Sequence, residues 1–337
     1  MLGFDIDRQD DDRRRFDNLQ GVIGPLTLDQ QEQVDSNGIF AQGQYRINDR
    51  WNVSAGLRYD EIRFDVSDHY QVDGDDSGIV DFDQFSFSFG LSRDFGDGAL
   101  FGAISSSFET PTTTELANPD GSGGFNHSLR PQTAVNYEVG FKAATGQLYY
   151  EIAVFHINLE DELVPFELPA SPGRTFYANA GKSTRTGIET AVSWSGASGF
   201  GVDASLTWSD FSFDDFLDDN GNDFSGSHLP GVPEYFGYLG LNYESDGGFK
   251  VTFETNYSGS LYADNSNSVK VPGYVVSGLR ATYEFQPGNW LLRPYIGINN
   301  LFNEHYNSNI RINAFGARYF EPAPERNIYA GIVIRFQ

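Results

Sequence analysis

The sequence predicts an all-β fold, an antiparallel transmembrane β-barrel segment of about 13–14 strands. Two observations predict it: the connections are sorted by length, and the segments between them alternate apolar and polar residues. Short turns at one end and long loops at the other are the known asymmetry of transmembrane barrels. A soluble sandwich has no reason to sort its connections in this way.

From residue 39 onward, a tight turn and a long polar loop follow each other in regular alternation. The tight turns are predicted at Asn48-Asp49-Arg50, Gly96-Asp97-Gly98, Ala144-Thr145-Gly146, Ala197-Ser198-Gly199, Ser245-Asp246-Gly247-Gly248 and Gln286-Pro287-Gly288. The long loops are predicted near residues 66–80, 109–132, 159–184, 211–232, 260–270 and 301–326. Segments of about ten residues between them fit strands that cross a membrane.

The segments have the period of two that a β-strand imposes on its faces. Apolar residues alternate with polar or small ones over residues 51–60, 84–91, 249–257 and 327–336. Alternation by itself does not separate a barrel in lipid from a soluble sandwich with a dry core. The polar face also carries charged residues that suit a barrel lumen: Arg58, Lys250, Glu254, Arg293 and Arg335. Together with the sorting of the loops, these charges favour the barrel.

The composition of the chain excludes several classes of protein and of binding site. The chain has 337 residues and a net charge of −25, with acidic residues concentrated in the long-loop regions. This charge argues against a nucleic-acid partner, because phosphate backbones repel an acidic surface. The chain contains no cysteine, so a thiolate metal site is excluded. It also lacks the run of about 18 apolar residues that a transmembrane helix needs. Aromatic residues near the strand ends suit the interfacial girdles of a barrel.

The amino-terminal region is expected to differ from the rest of the chain. Counting back through the connections makes residues 1–7 the top of one outward strand and residues 8–38 a long external loop. The expected organisation is a partial strand and external loop over residues 1–38, then the barrel over residues 39–337. Since Met1 is not followed by a basic and apolar signal peptide, and the barrel begins part-way up a strand, we expect a fragment.

Six short motifs occur in order over residues 108–337. Residues 108–116 contain an aromatic-x-Thr-Pro-x-x-x-Glu-Leu pattern. Residues 129–140 read Leu-x-Pro-Gln-x-x-x-Asn-Tyr-Glu-x-Gly, and Asn-Ala-Gly at 179–181 precedes Thr-Gly-Ile-Glu at 186–189. The others lie at 229–233, 297–303 and 321–331. In this order the motifs resemble the carboxyl-terminal half of TonB-dependent outer-membrane receptors, with Gln132 where that family usually has Glu.

The resemblance implies a barrel portion of a 22-stranded receptor, whose amino-terminal plug domain carries the segment that contacts TonB. The parent protein is then expected to take up a ferric siderophore or a similar scarce substrate across the outer membrane of a Gram-negative cell. Its external loops would face outside, and outer-membrane lipid would surround it. Without the plug and the first strands, the chain alone is not expected to be transport-competent. No cofactor is expected, and the sequence does not identify the substrate.

Three alternatives compete with the receptor interpretation. A stand-alone passive porin-like or structural outer-membrane barrel would need its first strand to pair with its last. A soluble acidic sandwich would fold in water without detergent. An enzyme is the weakest alternative, because the sequence contains no Gly-x-Ser-x-Gly elbow and the Ser and His residues that lie near each other belong to loops. We therefore predict that the chain is not an enzyme.

Cationic and aromatic residues of the long loops are the candidate substrate contacts, since together they suit an anionic iron chelate. They are Phe125, His127, Arg130, Arg174, Tyr177, Arg311 and Arg318. His127 stands out because it adjoins Asn126 and the glycine-rich stretch at 121–124. Loop packing or surface charge balance would account for the same residues.

One acidic run superficially resembles a calcium loop, because hard cations prefer clustered oxygen ligands. Its candidate ligands are Asp218, Asn220 and Asp223. The run lacks the EF-hand spacing and the late glutamate, so a solvated acidic loop is the simpler interpretation. The five histidines are scattered and do not converge in sequence on a transition-metal site.

Overall fold

A computed structural model of the chain describes residues 1–72, 74–119, 123–169, 174–218 and 221–336. In chain order the strands are β1 (Leu2–Leu19), β2 (Val22–Arg46), β3 (Trp51–Asp68), β4 (Gly78–Asp94), β5 (Gly98–Glu109), β6 (Gln132–Thr145), β7 (Leu148–Glu160), β8 (Leu163–Glu167), β9 (Thr175–Asn179), β10 (Lys182–Ser195), β11 (Phe200–Asp215), β12 (Tyr235–Glu244), β13 (Phe249–Ser258), β14 (Leu261–Tyr262), β15 (Lys270–Val271), β16 (Tyr274–Tyr283), β17 (Trp290–Asn299), β18 (Asn307–Ile310), β19 (Phe320–Pro322) and β20 (Asn327–Phe336). A short 3₁₀ helix spans Phe315–Ala317. Among the described residues, no helix is both long and apolar enough to cross a bilayer.

Fourteen of the strands form one antiparallel sheet in the order β1-β2-β3-β4-β5-β6-β7-β10-β11-β12-β13-β16-β17-β20. Each strand pairs with the next one along this order, so β1 and β20 are the two edges and the sheet is not closed. The remaining strands form three small hairpins, β8-β9, β14-β15 and β18-β19, inside the long loops. The all-β, antiparallel prediction and its strand count are confirmed.

The connections are divided between the two ends of the sheet as the sequence predicts. All six predicted tight turns join neighbouring strands at one end, which we call the turn end. The six long loops join strands at the opposite end, the loop end, and three of them contain the small hairpins. This division follows because consecutive connections of an antiparallel sheet alternate between its ends.

The structure differs from the sequence-based expectation over residues 8–38. These residues are not a loop but the upper parts of β1 and β2, joined by a tight turn at Gln20 and Gly21. Both turn residues have positive φ (55° and 90°), the geometry of the turns that match strand twist in two-residue hairpins. The last residue of β3, Asp68, pairs with Gln30, so the hairpin projects past its neighbour. Charged residues occupy both faces there, and this removed the alternation from the sequence.

The sheet has one apolar and one polar face. Tyr59 and Phe85 lie on the apolar face and are 37% and 57% exposed, although both are large hydrophobic residues. Arg58 and Ser86, one position away and paired with each other, lie on the polar face. Because successive side chains of a strand point to opposite faces, this register places the apolar residues of every strand on one surface. The predicted alternation is confirmed.

The buried core lies where the long loops fold over the polar face at the loop end. One cluster joins Phe64 and Val66 of β3 to three residues of the 110–131 loop: Leu116, Phe125 and Leu129. A second cluster joins Val164 of β8 to residues of β11 and its loop: Phe213, Phe216 and Leu229. The loop residues of these two clusters are therefore packed against the sheet, and the first cluster borders the candidate site.

Candidate functional site

A cavity of about 420 Å³ opens at the loop end, between the projecting β1-β2 hairpin, the 69–77 loop, the 110–131 loop and β9. Its walls carry three guanidinium groups, from Arg13, Arg15 and Arg174. Aromatic side chains also line it: Tyr70, Phe125 and Tyr177. Four separate segments thus bring cations and aromatic rings to one opening, which we call the loop-end pocket.

The three arginines differ in how they are held. Arg13 Nη1 lies 3.0 Å from Glu32 Oε1 and donates a hydrogen bond of 2.9 Å to Thr114 Oγ1. Arg15 and Arg174 have no ion pair within the described part of the chain, and Arg174 lies 4.9 Å from the ring centre of Phe176. Arg15 on the hairpin side of the pocket and Arg174 on the β9 side therefore present guanidinium groups that are available to an anion.

Glu32 fastens the hairpin to the 110–131 loop. Burial alone would raise the pKa of this carboxyl group, but hydrogen bonds donated by Thr113, Arg13 and Gln30, together with the charge of Arg13, lower it below its ordinary value. The Thr113 hydroxyl donates at 2.7 Å, across 81 residues of sequence. Glu32 is therefore ionised at neutral pH and orients Arg13 toward the pocket.

The two carboxylates of the pocket wall are already used by backbone donors. Asp68 accepts hydrogen bonds from the N–H groups of Tyr70 (2.9 Å) and Asp76 (3.1 Å). Asp76 accepts one from the N–H of Gly124 at 3.2 Å, which ties the 69–77 loop to the 110–131 loop. These groups shape the wall, while the arginines supply the groups that remain open to a ligand.

Tyr177 and Phe125 complete the apolar part of the pocket. Phe125 is 7% exposed and belongs to the core cluster that pins its loop to β3. Burial raises the pKa of Tyr177, and the charge of Glu115 and a hydrogen bond to that carboxylate raise it further. Tyr177 therefore keeps its proton, and the pocket pairs neutral aromatic surface with positive charge. Such a pocket can hold an anion that carries planar or apolar groups.

Three of the seven predicted contact residues, Phe125, Arg174 and Tyr177, line this pocket. His127 is exposed and does not line it. Arg130 forms an ion pair with Asp161, and its backbone N–H donates to Asn179 Oδ1 at 2.9 Å. Arg13 and Arg15 were not among the predicted contacts, because nothing in the sequence placed residues 8–38 beside the 110–131 loop. Their spacing of two, ahead of the Gln20-Gly21 turn, was the available signal.

The other two predicted contacts, Arg311 and Arg318, lie elsewhere and share one carboxylate. The side chain of Glu167 in β8 is 3% exposed, and its two oxygens lie 2.8 Å from Arg311 Nη2 and 2.9 Å from Arg318 Nη2. Asn313 also donates to the carbonyl oxygen of Pro165 at 3.0 Å. These bonds fasten the 300–326 loop to the β8-β9 hairpin. A role of the two arginines in substrate contact stays a prediction.

The acidic run is arranged as a turn. Asp218 accepts hydrogen bonds from the backbone and side-chain nitrogens of Asn222, each at 2.8 Å, and Asp223 accepts one from the N–H of Ser225 at 3.0 Å. Asn220 lies outside the described residues. Among the described residues, no group of three or more His, Cys, Asp or Glu side chains converges as a metal site. Calcium binding stays a prediction.

The structure is thus an open antiparallel sheet with an apolar face, a polar face and a pocket under its long loops. The family described as "TonB dependent receptor-like, beta-barrel" matches residues 1–301, and the chain belongs to this family. The resemblance stated from the motifs is thereby confirmed. Its members are outer-membrane receptors and transporters, not enzymes.

Individual relatives are distant. The chain is 24% identical to the ferrioxamine receptor of Yersinia enterocolitica over 81% of its own length, and 25% identical to the metal-pseudopaline receptor CntO of Pseudomonas aeruginosa over 90%. These matches cover 36% and 41% of the two relatives. The crystal structure of the siderophore receptor PiuA from Acinetobacter baumannii superposes with a TM-score of 0.73 at 19% identity, over 91% of this chain and 44% of that one. The chain thus spans about two fifths of the relatives it matches.

Proposed function

We propose that this chain is part of an outer-membrane receptor that takes up an anionic iron chelate, a ferric siderophore or a similar scarce substrate, through the loop-end pocket. The observation that carries the proposal is the meeting of Arg13, Arg15 and Arg174 at one cavity in a chain whose net charge is −25. Two relatives are named as receptors for ferrioxamine and for metal-pseudopaline, which supports a metal chelate as the substrate, and the guanidinium groups of the pocket support an anionic one. Uptake belongs to the complete receptor, with a plug domain and the TonB complex as proposed partners.

The chemistry of the pocket suits capture of such a chelate. A ferric chelate with carboxylate or catecholate arms presents oxygen acceptors around a charged centre, and guanidinium groups donate to such oxygens in pairs. A charge-assisted hydrogen bond contributes about 1.5–3 kcal/mol where it is shielded from water. The aromatic walls formed by Phe125 and Tyr177 would cover the organic part of the ligand. The long loops would then face the medium, with the turn end toward the periplasm.

The passive-barrel alternative gains no support from these observations. A porin needs a wide polar lumen but no convergence of unpaired cations with aromatic rings under packed loops. The relatives named above are receptors, and their resemblance extends over most of the chain.

Binding is the direct test. The protein would be purified in mild detergent from the outer membranes of cells that make it, and titrated calorimetrically with ferric citrate, a ferric catecholate and a ferric hydroxamate. We expect an anionic chelate to bind, and Arg174→Ala to weaken binding at least tenfold, the factor that corresponds to about 1.4 kcal/mol. Arg14→Ala is the matched control, because Arg14 pairs with Asp29 outside the pocket. Failure of all three chelates to bind, or equal losses in both variants, would contradict the proposal.

A further inference from the structure

The apolar face ends, at the turn end of the sheet, in a row of aromatic side chains. Near the turn-end margins of their strands lie Trp51, Tyr150, Trp194, Tyr243, Trp290 and Phe336. Several of them are strongly exposed, for example Trp290 at 48% and Phe336 at 68%. Aromatic rings in this position mark the level of the lipid headgroups in a membrane barrel. The row therefore locates one membrane interface on the structure.

One cation interrupts this row. Arg93 of β4 pairs with Trp51 of β3 and points to the same apolar face as Phe85, Phe89 and Leu91, which are 57%, 48% and 38% exposed. On these strands the apolar face carries no other charged side chain between the level of Tyr59 and the turn end. A charge exposed to lipid on a barrel strand is destabilising near the midplane and tolerated only near an interface.

The surroundings of Arg93 hold its guanidinium group in place without neutralising it. The group lies 5.4 Å from the ring centre of Trp51 and 4.8 Å from that of Phe95, so two aromatic rings flank it. Its Nε is buried and has no hydrogen-bond acceptor within the described part of the chain. The side chain also has no ion pair there; the nearby carboxylate of Asp94 accepts instead from the N–H of Gly96.

We propose that Arg93, framed by Trp51 and Phe95, binds the phosphate group of a phospholipid in the leaflet at the turn end. The ligand must be an anion, because the site offers an unneutralised guanidinium with a buried donor that lacks an acceptor. The ligand must also carry acyl chains, because the surface that continues from Arg93 toward the loop end is Leu91, Phe89 and Phe85. A phospholipid supplies both parts, with its phosphate at the level of the aromatic row. The site does not depend on which substrate the receptor takes up.

Arg46, a second arginine near the turn end, provides a matched control. Arg46 is exposed and is the last residue of β2, but it is on the polar face, since its neighbour Tyr45 pairs with Val53 on the apolar face. It is not flanked by aromatic rings in the described structure. Loss of Arg46 therefore removes the same charge from the same end of the sheet without touching the proposed site.

Native mass spectrometry of the protein purified from outer membranes tests the site. The protein would be titrated with phosphatidylglycerol, with an uncharged galactosyl diacylglycerol of the same acyl chains, and with inorganic phosphate. We expect retention of phosphatidylglycerol over the galactolipid, a loss of about tenfold in Arg93→Gln, as expected for a charge-assisted phosphate contact, and no change in Arg46→Gln. If Arg93→Gln does not assemble, Trp51→Leu, which removes one flanking ring, should reduce retention by about threefold.

Three results would overturn the proposal. Equal retention of the two lipids would mean that the surface is only apolar. Equal retention of phosphatidylglycerol in the wild-type protein and in assembled Arg93→Gln would mean that another residue binds the headgroup. Binding of inorganic phosphate without retention of the lipid would make the site one for a free anion.

Discussion

Replacing Glu32 by glutamine should loosen the 110–131 loop that forms one wall of the pocket. Glu32 is 9% exposed as a side chain and accepts hydrogen bonds from Arg13, Gln30 and Thr113, at 3.0, 2.5 and 2.7 Å. Glutamine preserves the shape but removes the negative charge, and its amide nitrogen faces groups that are themselves donors. The substitution thus leaves at least one of the three donors without its acceptor.

The magnitude follows from burial and screening. A hydrogen bond to a charged group contributes about 1.5–3 kcal/mol. The side chain of Arg13 is 34% exposed, so water screens part of its attraction to Glu32. A local loss of about 1–2 kcal/mol remains, which is roughly a factor of 5–30 in the population of the opened loop.

Hydrogen exchange of the detergent-purified protein measures this directly. Amides of the 110–131 loop should exchange roughly 5–30 times faster in Glu32→Gln, while those of β16 and β17 should not change. Asp12→Asn is the matched control, since Asp12 lies on the same hairpin, is exposed and has no partner among the described residues. Unchanged protection of the loop in Glu32→Gln, or equal loss in Asp12→Asn, would refute the reasoning.

Three further outcomes are expected. Hydrogen bonds from two serines and from backbone N–H groups outweigh burial and lower the pKa of Asp264 below its ordinary value of 3.8. The contribution of ionised Asp264 to the stability of the 261–271 turn is therefore complete above pH 3.8 and is lost as pH falls through the lowered pKa. Hydrogen exchange of this turn, corrected for intrinsic rates, should accelerate in that acidic range in the wild type but not in Asp264→Asn. Phe213→Ala empties a site that is 1% exposed and should destabilise the second core cluster by about 3–5 kcal/mol, measured by exchange of β11, whereas Phe302→Ala, at 69% exposure, should have almost no effect. A double-mutant cycle of Arg311→Ala with Glu167→Gln should give a coupling of about 1 kcal/mol after allowance for screening of the partly exposed arginine, and zero coupling would remove this link between the loops.

Most of the sheet was predictable because local rules determine it. Strand periodicity at residues 51–60 and 327–336 follows from the requirement that one face is apolar, and the register then repeats from strand to strand. Glycine-containing turns such as the one at Gly146, with φ of 60°, mark the turn end for the same local reason. These signals are confirmed in every strand from β3 to β20 of the large sheet.

The β1-β2 hairpin was not predicted because apolar and polar residues do not alternate in the part of it that projects past β3. Neither face is apolar there, because Arg8, Asp10 and Arg14 lie on one face and Asp11 and Arg13 on the other, so no alternation remains. The only remaining signal was the turn at Gln20 and Gly21. The pocket was therefore predicted only in part: Phe125, Arg174 and Tyr177 were predicted contacts, and Arg13 and Arg15 of the hairpin were not.

The partners of Arg311 and Arg318 were unpredictable for a different reason. They meet Glu167 across 144 and 151 residues of sequence, and such a contact between loops leaves no periodic trace. Long basic side chains in an external loop look the same in sequence whether they bind an internal carboxylate or a ligand. Only the three-dimensional structure shows that Arg311 and Arg318 form ion pairs with Glu167, whereas Arg15 and Arg174 line the pocket without an ion pair in the described part of the chain.

Uptake of radioactive iron tests the central claim most directly. Cells that carry the gene for the complete receptor containing this sequence would be grown under iron limitation and offered iron as ferric citrate, a ferric catecholate or a ferric hydroxamate, with and without a protonophore. We expect deletion of the gene to abolish energy-dependent uptake of at least one chelate. We also expect the restored gene with Arg15→Ala and Arg174→Ala to recover only a small part of that uptake. Unchanged uptake of all three chelates after deletion would contradict a role in iron transport.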